Sequence, residues 1–256
     1  MKDILRQLAV VLTVVITLIV NIMANALPIN GLNTGQISDQ FNVLFVPAGY
    51  VFSIWGVIYI ALIAYTVFQA LPSQRANPRM SATGWWVSLG GLANSAWIFL
   101  WHYQQFPLTL VAMLLLLATL IITYLRLESG RLRVSPAETW AAQVGFSIYL
   151  GWITVATAAN ITDVLDYVQW NGFGLAPEIW LVVVLAAVLA ITSLMIFTRR
   201  DAPYTLVILW ALAGIAVKFS SMPSVTIPTL ITFGLVALAL VYALVARKPA
   251  LKPVLG

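Results

Sequence analysis

Three pairs of aromatic side chains stand at helical spacing along this chain. Trp55 and Tyr59 are four residues apart, as are Trp97 and Trp101, while Tyr149 and Trp152 are three apart. Each pair therefore shows one face of a helix. Amides and hydroxyls accompany them: Asn21 and Asn25, Asn94 and Ser95, and Thr154, Thr157 and Asn160. Groups of this kind join helices by hydrogen bonds worth about 1 kcal/mol each in a bilayer. Trp85, Trp86, Trp140, Trp170 and Trp180 lie near the ends of apolar runs, where interfacial aromatic belts form. Trp152 does not, and an indole N–H in mid-span needs a partner, either a neighbouring helix or a bound ligand. The catalytic inventory is thin: no cysteine and a single histidine, His102. Cysteine nucleophiles, thiolate metal sites and disulfides are excluded, and neither a catalytic nor a metal-binding set is assigned.

The elements that carry these residues are set by composition. Of 256 residues 62% are hydrophobic, 8% are charged, and the mean hydropathy is +0.98, which describes an integral membrane protein embedded in a lipid bilayer. A spanning helix needs about 20 apolar residues. Eight runs of that size lie near 5–26, 48–70, 82–101, 107–126, 138–161, 177–198, 203–220 and 227–246. Runs such as VAMLLLLATLIITYL (111–125) are apolar on every face, unlike alternating barrel strands, so the expected fold is an all-α polytopic bundle. Ala24-Asn25-Ala26 would suit a signal peptidase, but the run from Leu8 to Met23 is longer than a signal h-region and reads as a retained first helix. Twelve of the thirteen basic residues then fall on one side of the eight spans: Lys2, Arg6, Arg75, Arg79, Arg126, Arg131, Arg133, Arg199, Arg200, Arg247, Lys248 and Lys252. The positive-inside rule makes that side, with both termini, cytoplasmic. The same distribution accounts for the net charge of +5 and leaves no basic, aromatic-rich surface for nucleic acid.

Ionisable residues within the spans would mark proton or ion pathways. Glu138 and Glu178 sit at helix starts, where they complement the helix dipole. Asp39, Asp163 and Asp166 fall in outer loops. Lys218 invites comparison with retinal-binding lysines, but the third span offers no carboxylate counter-ion, so it reads as a snorkelling interface lysine. His102 could ligate haem iron from the outer end of the third span; an interfacial histidine beside Tyr103 is the plainer reading.

PAGYVFSIWGVIY (47–59) resembles the second-helix signature of the TspO/MBR family, the tryptophan-rich sensory and translocator proteins, usually a Pro-Pro-x-Trp-Val-Phe opening followed by Trp and Leu-Tyr. LANSAWIFLWHYQQF (92–106) resembles the family's third helix, and SIYLGWITVATAAN (147–160) its fifth. The resemblance covers about residues 5–165 and divides the chain into a five-helix unit, 1–165, and a three-helix C-terminal extension, 166–256. It implies a pocket between the second, third and fifth helices that binds porphyrin, haem or another flat hydrophobic small molecule. The long loop 27–47, rich in Gly, Asn and Pro, would cap it. Carried over by position, the pocket draws on Trp55, Tyr59, Asn94, Trp97, Tyr149, Trp152, Ala156 and Asn160. No cofactor is required, and porphyrin or haem is the expected ligand. A bacterial cell membrane is the expected location.

The chain departs from the pattern at Ala48 for the second Pro, Tyr50 for Trp, Ser53-Ile54 for a Gly-Pro pair, and Ile148 for the fifth-helix Pro, which leaves bending there unspecified. The family's sterol-recognition pattern is missing after Tyr167. Leu120-x3-Tyr124-x-Arg126 and Leu240-x-Tyr242-x4-Arg247 fit only the loose form. Residues 177–246 receive no function from the resemblance. Their small residues, with Pro203, Pro223 and Pro228 at or beyond helix ends, suit packing against the five-helix unit or a second protomer in a homodimer. Beside a binding or sensory role stand a porphyrin-degrading enzyme, for which Trp and Tyr would have to supply the chemistry, and a small-molecule transporter, for which broken midplane helices would be the mark.

Overall fold

The computed structural model describes residues 2–27, 29–246 and 252–253. Arg247 and Lys248, and with Arg247 the end of the second sterol-type pattern, lie outside the described residues. All eight expected spans are helical. They are α1 (Lys2–Ala26), α3 (Ile54–Ala70), α4 (Pro78–His102), α5 (Phe106–Arg126), α7 (Gly145–Tyr167), α8 (Pro177–Arg199), α9 (Ala202–Lys218) and α10 (Pro223–Val245), with short helices α2 (Thr34–Ser38) and α6 (Pro136–Glu138) between them. Six of the helices are long and apolar enough to cross a membrane. The 17-residue α9 is apolar but shorter, and α4, diluted by Gly, Asn, Ser and Trp, is among the most enclosed. A two-residue parallel pairing of Leu132–Arg133 with Lys252–Pro253 completes the secondary structure.

Local chemistry sets the helix ends. Pro78, Pro177 and Pro223 open α4, α8 and α10, where a missing N–H costs nothing. Asn77 caps α4 by accepting from the Arg79 and Met80 amides, and Asp201 caps α9 by accepting from that of Tyr204. Because α10 starts at Pro223, Pro228 falls inside the helix, not at its end as the sequence suggests. The fifth span is one long helical stretch, Pro136–Tyr167, whose irregularity is a π-helical turn at Thr139–Val144. It continues past 161, so Asp163 and Asp166 belong to α7 and not to a loop.

Packing closes a ring of five helices: α1 meets α3 and α4, α4 meets α5, α5 meets α7, and α7 returns to α3. The remaining three attach through α9, which lies on α7; α10 packs on α9 and α8. Gly151 permits the α7–α9 approach, since a Cβ there would stand 2.9 Å from the Tyr204 carbonyl. One apolar core takes in residues of every long helix, and a smaller one joins α8 to α10. Leu8, Leu12, Ile60, Val111, Leu194 and Leu238 stay exposed on the outside, a surface that a bilayer covers. Trp85 and Trp140 are exposed as well, in keeping with an interfacial belt.

At one end of the bundle Arg79 pairs with Glu138, its Nη2 donating to Oε2 at 2.8 Å, and Asn77 Nδ2 also reaches that carboxylate. Glu138 is therefore a buried ion-pair partner that ties α4 to α6, as well as a first-turn acid.

Candidate ligand-binding site

The eight residues singled out by sequence fall into two adjoining groups. In the first, Tyr59 donates to Asn21 Oδ1 (3.2 Å), Asn21 Nδ2 to Asn94 Oδ1 (2.6 Å), and Asn94 Nδ2 to the Tyr149 hydroxyl (3.1 Å). This chain links α3, α1, α4 and α7 through the middle of the ring. Trp55 stacks on Tyr59 with centroids 5.7 Å apart and meets Tyr149 and Trp152 edge-on at 6.0 and 6.3 Å. The polar atoms of the chain satisfy one another, as buried amides must. Asn94 and Tyr149 of this group are buried, while Trp55 and Tyr59 are half-buried at its edge.

In the second group Trp97, Trp152, Ala156 and Asn160 line a cavity of about 50 Å³. Trp101, Met113 of α5, Asp163, Phe52, and Thr34 and Ser38 of the outer loop are among the other residues of its wall. Trp97 stacks on Trp101 at 5.2 Å and 18°, and its indole N–H donates to Asn160 Oδ1 (3.2 Å). Asn160 Nδ2 in turn donates to Thr109 Oγ1 (2.9 Å). Trp152, only 2% exposed, keeps its N–H without a protein partner.

The loop 27–47 lies over this cavity and is fastened to α4. Trp101 Nε1 donates to the Thr34 carbonyl (3.2 Å), and Asn30 Nδ2 to the His102 carbonyl (3.0 Å). His102 is 1% exposed, a correction to the interfacial position expected of it. Its Nδ1 donates to the Ile29 carbonyl (3.0 Å), which can only accept, and Nε2 is hydrogen-bonded to Thr34 Oγ1 (3.2 Å). With both nitrogens engaged, the ring is a latch for the loop. Among the described residues no three His, Asp or Glu side chains gather as metal ligands. Phe41 packs on Trp101 and Phe106, and Lys218 at the end of α9 pairs with Asp39 of the loop at 3.3 Å.

Sequence reasoning missed Asn21 as the central link, Thr109, and above all Asp163. Asp163 lies three residues beyond Asn160, on the face of α7 that Trp152, Ala156 and Asn160 share. That periodicity was readable, but the expected span stopped two residues short of it.

A polytopic helical bundle in which a ring of five helices encloses an indole-lined cavity beneath an outer loop defines a class of membrane sensory or binding protein. The family described as TSPO-like protein matches residues 7–244, and the chain belongs to it. That match runs through α8, α9 and nearly all of α10, so the last three helices share in the family pattern and are not an addition to it. No curated protein and no solved structure matches the chain.

Proposed function

We propose that the protein binds a flat hydrophobic ligand of the porphyrin or haem kind in the cavity between α4, α5 and α7, beneath the 27–47 loop, and acts as a membrane sensor or receptor for it. The observation that carries this reading is Trp152. A buried indole N–H with no protein partner, beside a stacked indole pair in a cavity, is costly to a fold unless a bound molecule uses it. At about 50 Å³ the cavity is far below the roughly 300–1,000 Å³ of ligand pockets. Entry of a ring system therefore requires the loop to lift, and the His102 and Trp101 bonds are what must yield. On the expected topology the loop faces the outside of the cell, and both termini face the cytoplasm.

Titration of protoporphyrin into the purified protein, followed by quenching of tryptophan emission, tests this. Saturable quenching is expected, and it should weaken in Ala156→Leu, which fills the cavity while keeping every indole. Quenching that does not saturate, or that is the same in Ala156→Leu and in Trp152→Phe, would sink the reading.

A further inference from the structure

The cavity has a second polar group without a partner. Asp163 Oδ1 is buried and accepts no hydrogen bond, and the residue as a whole is 4% exposed. It lines the same cavity as Trp152, so the cavity wall holds one unpartnered donor and one unpartnered carboxyl oxygen. A buried carboxylate left without a donor is among the costliest groups a fold can hold. Within the protein little offsets it. The charged groups whose fields reach Asp163 are Asp166, one turn further along α7, and Lys218. Asp166 adds negative charge and accepts from the Asn42 amide of the loop at 3.3 Å. Lys218 is held by Asp39. Thus three acidic side chains and one ammonium gather around the loop-side end of the cavity, with Asp163 alone in its lining.

We infer that this cavity selects a planar, apolar ligand carrying a protonated nitrogen or another strong N–H donor, which Asp163 accepts, while Trp152 donates to an acceptor elsewhere on the same ligand. This rests on the reading of the cavity as the ligand site and narrows its ligand class. An anionic ring edge is unfavourable beside Asp163, so among porphyrins an esterified ring is preferred to the dicarboxylic acid.

The test uses the full-length protein in neutral detergent micelles with protein-free micelles as blank, and tryptophan quenching as readout. The probes are 9-aminoacridine, a planar cation at pH 7; acridine, the same ring system predominantly neutral; and protoporphyrin IX as diacid and as dimethyl ester. Expected is a preference of about tenfold or more for 9-aminoacridine over acridine, the scale of a desolvated charge-assisted bond, and for ester over diacid. Asp163→Asn should bring each pair to within about twofold. The wild-type preference stands as evidence even if that variant does not fold. Saturable binding of these probes with no charge preference, or a preference untouched by Asp163→Asn, overturns the inference but leaves the binding site standing. If no planar probe of any charge is bound, water alone serves the two groups and both readings fall.

Discussion

Asp201 makes the sharpest stability prediction, because one carboxylate joins the five-helix ring to the last three helices. Its Oδ2 accepts from the Tyr124 hydroxyl of α5 (2.7 Å) and the Ser147 hydroxyl of α7 (2.6 Å), while Oδ1 caps α9 through the Tyr204 amide (3.0 Å). In Asp201→Ala the lost cap costs about 1 kcal/mol. The Tyr124 hydroxyl, on a buried side chain, loses its acceptor, which costs about 1–3 kcal/mol more. Ser147 is on a helix and can turn its hydroxyl to a carbonyl one turn back, so its share is small. The two costs sum to about 2–4 kcal/mol, or roughly 30- to 700-fold in the unfolding equilibrium, and relief of a buried charge, working in the opposite direction, draws the value to the lower part of that range. Asp201→Asn keeps one acceptor oxygen but points an amide at a donor, and should fall between wild type and Ala. Denaturant unfolding in micelles, followed by tryptophan emission, gives the order wild type, Asn, Ala. Stability of Asp201→Ala within about 0.5 kcal/mol of wild type would refute the assignment of this carboxylate as the joint.

Three further outcomes follow from contacts already described. Gly151→Val places side-chain atoms against the Tyr204 carbonyl and Val207 and should destabilise by about 1–3 kcal/mol, with Gly151→Ala intermediate in the same unfolding assay. His102→Ala removes two of the bonds that hold the outer loop. At about 1 kcal/mol each, hydrogen exchange of residues 29–38 should quicken by roughly 30-fold while the amides of α5 keep their protection. Ala48→Pro is compatible with the local backbone (φ −60°) but removes the N–H that donates to the Gly214 carbonyl at 3.2 Å. Thermal unfolding should register a net loss of about 1 kcal/mol relative to Ala48→Ser.

Apolar runs mark the helices, six of them long and apolar enough to span by themselves, because each such run must close its own backbone hydrogen bonds in lipid. The termini were less legible. The expected fifth span ends at 161, while the helix runs on to Tyr167 and carries Asp163 into the cavity wall. The π-helical turn at 139–144 has no marker in the sequence. Aromatic spacing picked out faces correctly as faces, yet could not say which amide meets which. Asn21 and Asn94 are separated by 73 positions and Trp97 and Asn160 by 63, and only the closing of the ring brings them together. Hence four of the eight chosen residues cluster around the Asn21–Asn94 link and four line the cavity, a distinction that depends on who their neighbours are.

The departures in PAGYVFSIWGVIY have a cause outside the ligand site. Residues Gly49–Ser53 form a 3₁₀ turn before α3, and α9 docks on that turn. The Ala48 amide donates to Gly214, Trp210 Nε1 donates to the Val51 carbonyl (3.1 Å), and Tyr50 meets Trp210 edge-on at 5.3 Å. A second proline at 48 would have no proton for Gly214. A Cβ on Gly214 would run into Val51 and Pro47, so the glycine on α9 is matched to the turn it receives. Pro47 and Phe52 line the cavity, and Phe52 packs edge-on to Trp152 at 5.7 Å. The turn thus has two sides, one facing the cavity and one carrying α9. Tyr50 and Ala48, which differ from the usual signature, are on the side that meets α9. The altered signature and the three C-terminal helices meet in one contact, the turn at Gly49–Ser53 against α9.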